Sequence, residues 1–274
     1  MGILMAGLSP HPPLIVPEIG KERRSAVKKT IQNLEELAAE IVECDPDILI
    51  TISPHGPVFS DAIGVMNQPE LSGDFSDFSC PEVELTVKTD ENFISVLKKN
   101  AERSGIELIS LSSGGLRKYN YPCKLDHGVL VPLYFMKEAG LNVPVIPITM
   151  GLLSYEKLYK FGGTIQETIS EQDLNAVIVA SGDLSHRLKP GAPAGYNPRG
   201  EEFDKRLINL LSEEKYKQVM EIDSRLIEKA GECGLRPIII MLGALQGLSV
   251  SSEVKSYEGP FGVGYGIVGF YPDE

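Results

Sequence analysis

The sequence predicts an α/β fold, a single domain with a mostly parallel central sheet flanked by helices and its active site at the C-terminal strand ends. Three observations carry that expectation. Continuous apolar runs at 3–8, 47–52, 143–149 and 174–180 have the character of strands buried on both faces. Stretches of helical periodicity alternate with these runs along the whole length, as βα units do. No Pro/Gly/Ser-rich linker, repeat or low-complexity tract interrupts the 274 residues, so 1–274 reads as one domain.

The elements follow in order. The run 3–8 stops at Ser9-Pro10-His11-Pro12-Pro13, where the proline density continues neither strand nor helix. Residues 21–43 are apolar at Val27, Ile31, Leu34, Leu37, Ala38 and Ile41, one face of a helix. The strand at 47–52 ends in Ser53-Pro54-His55-Gly56-Pro57. Residues 60–82 are polar and predict a long loop or irregular hairpin. A strand at 83–88, a helix at 91–103 closed by Gly105, and a strand at 106–111 come next. Tyr121-Pro122-Cys123-Lys124-Leu125-Asp126-His127-Gly128 opens a helix over 129–139, and the strand 143–149 leads into a helix over 155–170. The most apolar strand, 174–180, ends in Ser181-Gly182-Asp183-Leu184-Ser185-His186. Helices at 200–211, 214–222, 224–230 and 237–245 precede closing strands at 251–257 and 263–270.

Lys and Arg total 26 against 38 Asp and Glu, a formal net charge of -12. That balance argues against nucleic acid or an anionic membrane as partner, since both need a basic footprint. No run approaches the roughly 18 apolar residues of a membrane span, and the first residues carry no signal-peptide pattern. Four scattered cysteines without a CxxC pair fit reduced thiols in a cytoplasm. HExxH, P-loop and GxSxG patterns are missing, and the spacing of Gly262, Gly264 and Gly266 departs from GxGxxG. The basic residues between Lys21 and Lys29 alternate with acids as a solvated helix face does.

Histidine placement is the most informative feature. There are four, and none lies inside a periodic element. His11, His55 and His186 each follow a buried strand, and His127 sits just before a helix. In a parallel sheet the loops after the strands gather at one edge, where such folds bind ligands. A site holding at least three imidazoles is therefore expected. Imidazole suits Fe, Zn, Cu and Ni, and spacing alone leaves an Fe(II) oxygenase and a zinc hydrolase both open. Core packing is the expected place of Tyr119 and Tyr121. Arg187 and Lys189 read equally as surface residues or as attractors of a substrate carboxylate.

The four histidine motifs, in this order and spacing, resemble the class III extradiol ring-cleavage dioxygenases over residues 4–265. Gly231-Glu232-Cys233-Gly234-Leu235-Arg236-Pro237 resembles in particular the Memo branch, with the dioxygenase-like proteins of AmmeMemoRadiSam systems. The resemblance implies that His11 and His55 bind Fe(II), with Zn or Cu as alternatives. It implies Glu232 as third ligand and Cys233 as the alternative that Memo-type proteins use; Glu258, another acid in a Gly-rich loop, stands third in rank. An oxygen ligand would favour iron and a thiolate copper or zinc. The same resemblance makes His186 the acid/base and puts His127 on the substrate or dioxygen; Asp183, three residues before His186, is placed to orient its ring or its backbone loop. It implies cleavage of a catechol-like aromatic ring with O2, or alternatively a Memo-like metal protein with a redox or partner-binding role and no ring cleavage. Homo-oligomers are common among such proteins.

Overall fold

The computed structural model describes residues 1–118 and 121–273, so Tyr119 lies outside the described residues. Its strands are β1 (Ile3–Ser9), β2 (Ile48–Ser53), β3 (Ile63–Met66), β4 (Glu70–Phe75), β5 (Cys80–Lys88), β6 (Leu108–Leu111), β7 (Val145–Thr149), β8 (Ala176–Ser181), β9 (Val250–Glu258) and β10 (Tyr265–Pro272). The helices are α1 (Pro17–Gly20), α2 (Lys28–Glu43), α3 (Glu91–Arg103), α4 (Ser113–Lys118) and α5 (His127–Glu138) in the first half. The second half adds α6 (Tyr155–Glu171), α7 (Arg199–Ser212), α8 (Tyr216–Val219), α9 (Ser224–Ala230) and α10 (Leu235–Ala244).

Eight strands form one sheet in the order β6-β3-β7-β2-β8-β1-β10-β9. Its centre, β7-β2-β8-β1, is parallel throughout. The additions on either side are antiparallel to it, β3 against β7 and β10 against β1. Strand side chains alternate between two cores as period-2 geometry requires. Ile48, Ile50, Ile52 and Ile178 face the core under α3, α6 and α10, whereas Leu49, Val177 and Val179 face the one under α2 and α5.

From the adjacent parallel strands β2 and β8 the chain departs in opposite directions along the sheet, β2 toward β3 and β8 toward β9. Such a switch point is where open α/β sheets bind ligands. Ser9 pairs with Ser181 and Ile52 with Ala180, so the three strands end at one level.

The irregular hairpin expected within 60–82 is β4 against β5, a separate two-stranded sheet, but two expectations need correction. Residues Ile63–Met66 form a strand of the main sheet. A four-residue run is too short to display a period, so its pairing with β7 and β6 decides the matter. Residues Lys21–Val27 form a 3-10 segment, and the α-helix begins only at Lys28. Val27, at φ -125° and ψ 31°, leaves the helical region and separates this segment from α2. Among the described residues no helix is long and apolar enough to cross a membrane.

Candidate metal centre

His11 is buried, its backbone fixed between Pro10 and Pro12 and its N–H donating to Asp183 Oδ1 at 2.9 Å. Its ring Nδ1 lies 2.9 Å from Ser181 Oγ, which donates its own hydrogen to the Gly128 carbonyl. Ser181 can then only accept from His11, so the ring carries its proton on Nδ1 and leaves Nε2 as a free lone pair. That nitrogen faces His55 Nε2 at 3.1 Å and Cys233 Sγ at 3.7 Å. The three ligand atoms all lie within 4.8 Å of one another.

Cys233 is brought in by a close approach of two backbones. A Cβ on Gly182 would lie 2.2 Å from Gly234 Cα, so this contact excludes any larger residue. It lets the Asp183 carbonyl accept from the N–H groups of Cys233 and Gly234 at 3.3 and 3.0 Å. Asp183 therefore ties the His11 loop, through its carboxylate, to the Cys233 loop, through its carbonyl. Burial holds its carboxyl up at about 7, against the lowering effect of the His11 N–H.

Glu232, the carboxylate expected as third ligand, stands elsewhere. Its Oε2 accepts from Leu235 N at 2.6 Å, at the N-terminus of α10, where a carboxylate meets free N–H groups and the helix dipole. It is not among the grouped ligand atoms; its neighbour Cys233 is. Glu258 is also engaged elsewhere, accepting from Thr30 N at 2.7 Å and from the Thr30 hydroxyl.

His186 Nδ1 lies 2.8 Å from the Gly231 carbonyl, which can only accept, so this ring too carries its proton on Nδ1 and keeps Nε2 free. Gly231 offers that carbonyl from a left-handed cap at φ 59° after α9. Among the described residues Asp183 makes no hydrogen bond to the His186 ring; its bonds go to the His11, Cys233 and Gly234 backbone N–H groups. His127, the first residue of α5, has its ring centroid 4.1 Å from that of His55 and 5.3 Å from that of His11. Asp126 caps the helix, accepting from Gly128 N at 2.8 Å and from Ser53 Oγ at 2.7 Å.

Burial pushes all four imidazoles toward the neutral form. His11 falls well below its ordinary value through burial and then the neighbouring His55, His127 and His186. His127 drops to about 4 through burial and His55. His55 is lowered by burial against the pull of Asp126, and His186 by burial against its backbone hydrogen bonds. Neutral rings with free nitrogens can ligate a cation or accept a proton. Two Nε2 atoms 3.1 Å apart suit two ligands of one ion at roughly 2.1 Å each. The donor set fits a transition metal, with the sulfur of Cys233, the alternative third ligand, in place of a Glu232 oxygen.

Beside these rings opens a cleft of 390 Å³, bounded by His55 and His127 and by the β4–β5 hairpin and the 121–126 loop. Tyr121, expected in the core, is half-buried and lines this cleft with Phe78. Ser181, Asp126 and the hairpin residues escaped the sequence reading. Asp126 alone left a signal, as an Asp at the start of an apolar helical run.

A family model described as the catalytic LigB subunit of aromatic ring-opening dioxygenase matches residues 5–268. The chain belongs to this family. It is 40% identical over 261 residues to Protein CA_C1420 of Clostridium acetobutylicum, a match covering 95% of this chain and 56% of that protein. It is 23% identical to the 2-aminophenol 1,6-dioxygenase beta subunit of a Pseudomonas species, covering 97% of this chain and 93% of that one. It is 31% identical to a MEMO1 family protein of Thermococcus onnurineus, covering 53% of this chain and 44% of that protein. The chain thus spans about half the length of the first and third of these relatives and nearly all of the second.

Proposed function

We propose that the chain is a metal-dependent oxidoreductase that opens a catechol-like aromatic ring with O2. His11, His55 and Cys233 hold the metal, His186 is the acid/base, and His127 faces the substrate hydroxyl or dioxygen. Iron(II) is the proposed metal on family grounds, and the sulfur in the donor set makes copper or zinc the alternatives. When bound, the metal supplies Lewis acidity and a means of pairing O2 with a bidentate diol.

The chain's own residues do the rest. Ser181 holds His11 in the tautomer that ligates, and Asp183 holds the two ligand loops together. His186 Nε2 takes a catechol proton, its ring kept in place by the Gly231 carbonyl. The cleft positions the ring against His127 and His55. Both atoms of O2 enter the product as the carbon–carbon bond beside the diol breaks.

The observation that carries this reading is His186. A protein that only stored a metal would have no use for a fourth oriented imidazole with a free nitrogen. The test is O2 uptake with catechols by iron-loaded protein, with His186→Ala beside the parent. Uptake by the parent and its loss in a variant that still holds metal supports the enzyme.

A second reading has one specific observation in its favour: Cys233, the ligand expected on the Memo resemblance, stands beside His11 and His55. On that reading the chain is a MEMO-like metal protein with a redox or partner-binding role. Stoichiometric metal with no uptake on any catechol would favour it.

A further inference from the structure

Asp204 stands on the apolar face of α7, among Phe203, Leu207, Leu210 and Leu211, and is fully buried. A carboxyl in such a place costs stability unless both oxygens find donors. Here Oδ1 accepts from Ser185 N and Oδ2 from Tyr257 Oη, at 2.8 Å each. Among the described residues no lysine or arginine forms an ion pair with it. The surroundings are cut to its shape, since a Cβ on Gly264 would collide with Oδ2. Packing alone calls for an apolar residue on this face, so the carboxyl is explained by what it holds.

It holds Ser185, itself fully buried. Ser185 Oγ donates to the Ala230 carbonyl at 2.9 Å and accepts from Arg187 N at 3.0 Å. The Ser185 carbonyl accepts from Gly264 N at 2.8 Å. His186 leans on the same place. Its N–H donates to the Ala230 carbonyl at 3.2 Å, and its ring Nδ1–H to the Gly231 carbonyl at 2.8 Å. Ser185 and His186 are thus docked together on the end of α9, and Asp204 fastens that docking to α7. The ring so placed faces the metal side, near enough to act on the charge of both His11 and His55.

The loop after β8 therefore has two buried carboxyls with separate tasks. Asp183 binds the His11 and Cys233 loops to each other. Asp204 reaches the part that bears His186. Without it the Ser185 N–H would be buried with no acceptor, and the loop would shift to find one. A shift of about 1 Å at a group that moves a proton costs on the order of 100-fold in rate.

We propose that Asp204 is a positioning residue, which through Ser185 holds the His186 ring with Nε2 turned to the metal centre. The inference rests on the acid/base role given to His186 above and adds the part that aims it.

The test reads the ring first and the reaction second. In isotope-labelled, metal-free full chain the four histidines give four imidazole patterns in long-range proton–nitrogen spectra, and His186→Gln identifies its own. The parent is expected to hold His186 as a single tautomer with the proton on Nδ1, and Asp204→Ala should turn it into a mixture. Asp204→Asn should restore the single tautomer, because Oδ1 still accepts from Ser185 and Nδ2–H can donate to Tyr257 Oη. If Asp204→Ala does not fold, Gly264→Ala takes its place, since the added Cβ pushes the carboxyl off Ser185. An unchanged tautomer in the folded variant, or a mixture already present in the parent, would overturn the proposal.

With Fe(II)-loaded protein and catechols, Asp204→Ala should lower kcat about 10- to 100-fold, with KM and bound metal within about twofold of the parent. Asp204→Asn should recover most of that loss. On a His186→Ala background the alanine substitution should cost less than about twofold more. A loss there as large as in the parent would mean a general structural role and would also overturn the proposal. No turnover of any catechol by the parent, with the tautomer effect present, would sink the ring-opening reading and leave the positioning of His186 standing.

Discussion

The two sides of the site are built by different physics. On the metal side, Ser9, Ser53 and Ser181 end three adjacent buried strands, and the side chains beyond them are held by buried hydrogen bonds. His11 is pinned at its backbone by Asp183 and at its ring by Ser181, and His186 by the Gly231 carbonyl. On the cleft side, the hairpin tip and the 121–126 loop present half-buried or exposed side chains joined by one solvent-facing ion pair. The first side is preorganised to hold charge with little rearrangement. The second can exchange one ionic partner for another at small cost, which is what a specificity region needs.

The comparison breaks most visibly at His186. On the proposed function, His186→Ala lowers O2 uptake with catechols by roughly 100- to 10,000-fold while bound metal stays unchanged. Uptake kinetics and metal content on the same sample decide it; equal loss of both would make the residue structural.

Next in size is Ser181→Ala. Without the acceptor for His11 Nδ1–H the ring loses its fixed tautomer, and metal affinity should fall about 10- to 100-fold in a competition with a chromogenic chelator. An unchanged affinity would show that the buried frame does not orient the ligand.

A pH measurement sharpens the same side. Asp204 is fully buried, accepting from Ser185 N and from Tyr257 Oη at 2.8 Å each, one residue before His186. Burial raises its carboxyl to about 7, far above the ordinary aspartate value. The folded chain then holds this proton where the unfolded chain has lost it. Its contribution to stability is complete below about pH 4 and disappears as pH rises through 7. Metal-free protein should lose roughly 2 kcal/mol between pH 5 and pH 8 through this group, and Asp204→Asn should flatten the slope in urea titrations. A slope identical in both proteins would refute the assignment.

On the cleft side the expected effect is smallest. Asp77→Ala breaks an exposed ion pair and should change stability by less than about 1 kcal/mol in the same titration. A larger loss would mean that the hairpin tip is part of the rigid frame.

What the sequence made legible follows the same division. Buried runs that end in Pro or Gly beside a histidine marked β1, β2 and β8 and three of the site's imidazoles, because burial on both faces forces continuous apolar stretches. Asp74, Asp77, Phe78 and Lys124 left no trace, since a hairpin tip and a distant loop meet only after the chain has folded. Glu232 and Cys233 illustrate the limit inside a recognised motif. Adjacent residues at a helix start point in different directions. Which of them meets His11 depends on the Gly182–Gly234 contact, across 52 positions that no local pattern connects.

The central claim is the donor set, and metal content per chain tests it most directly. Anaerobic Fe(II) loading, desalting and elemental analysis would be run on the parent, His11→Ala, Cys233→Ala and Glu232→Gln. The account predicts about one metal in the parent and in Glu232→Gln, and almost none in the other two. Metal retained by Cys233→Ala and lost by Glu232→Gln would contradict it, and so would equal retention in His11→Ala and the parent.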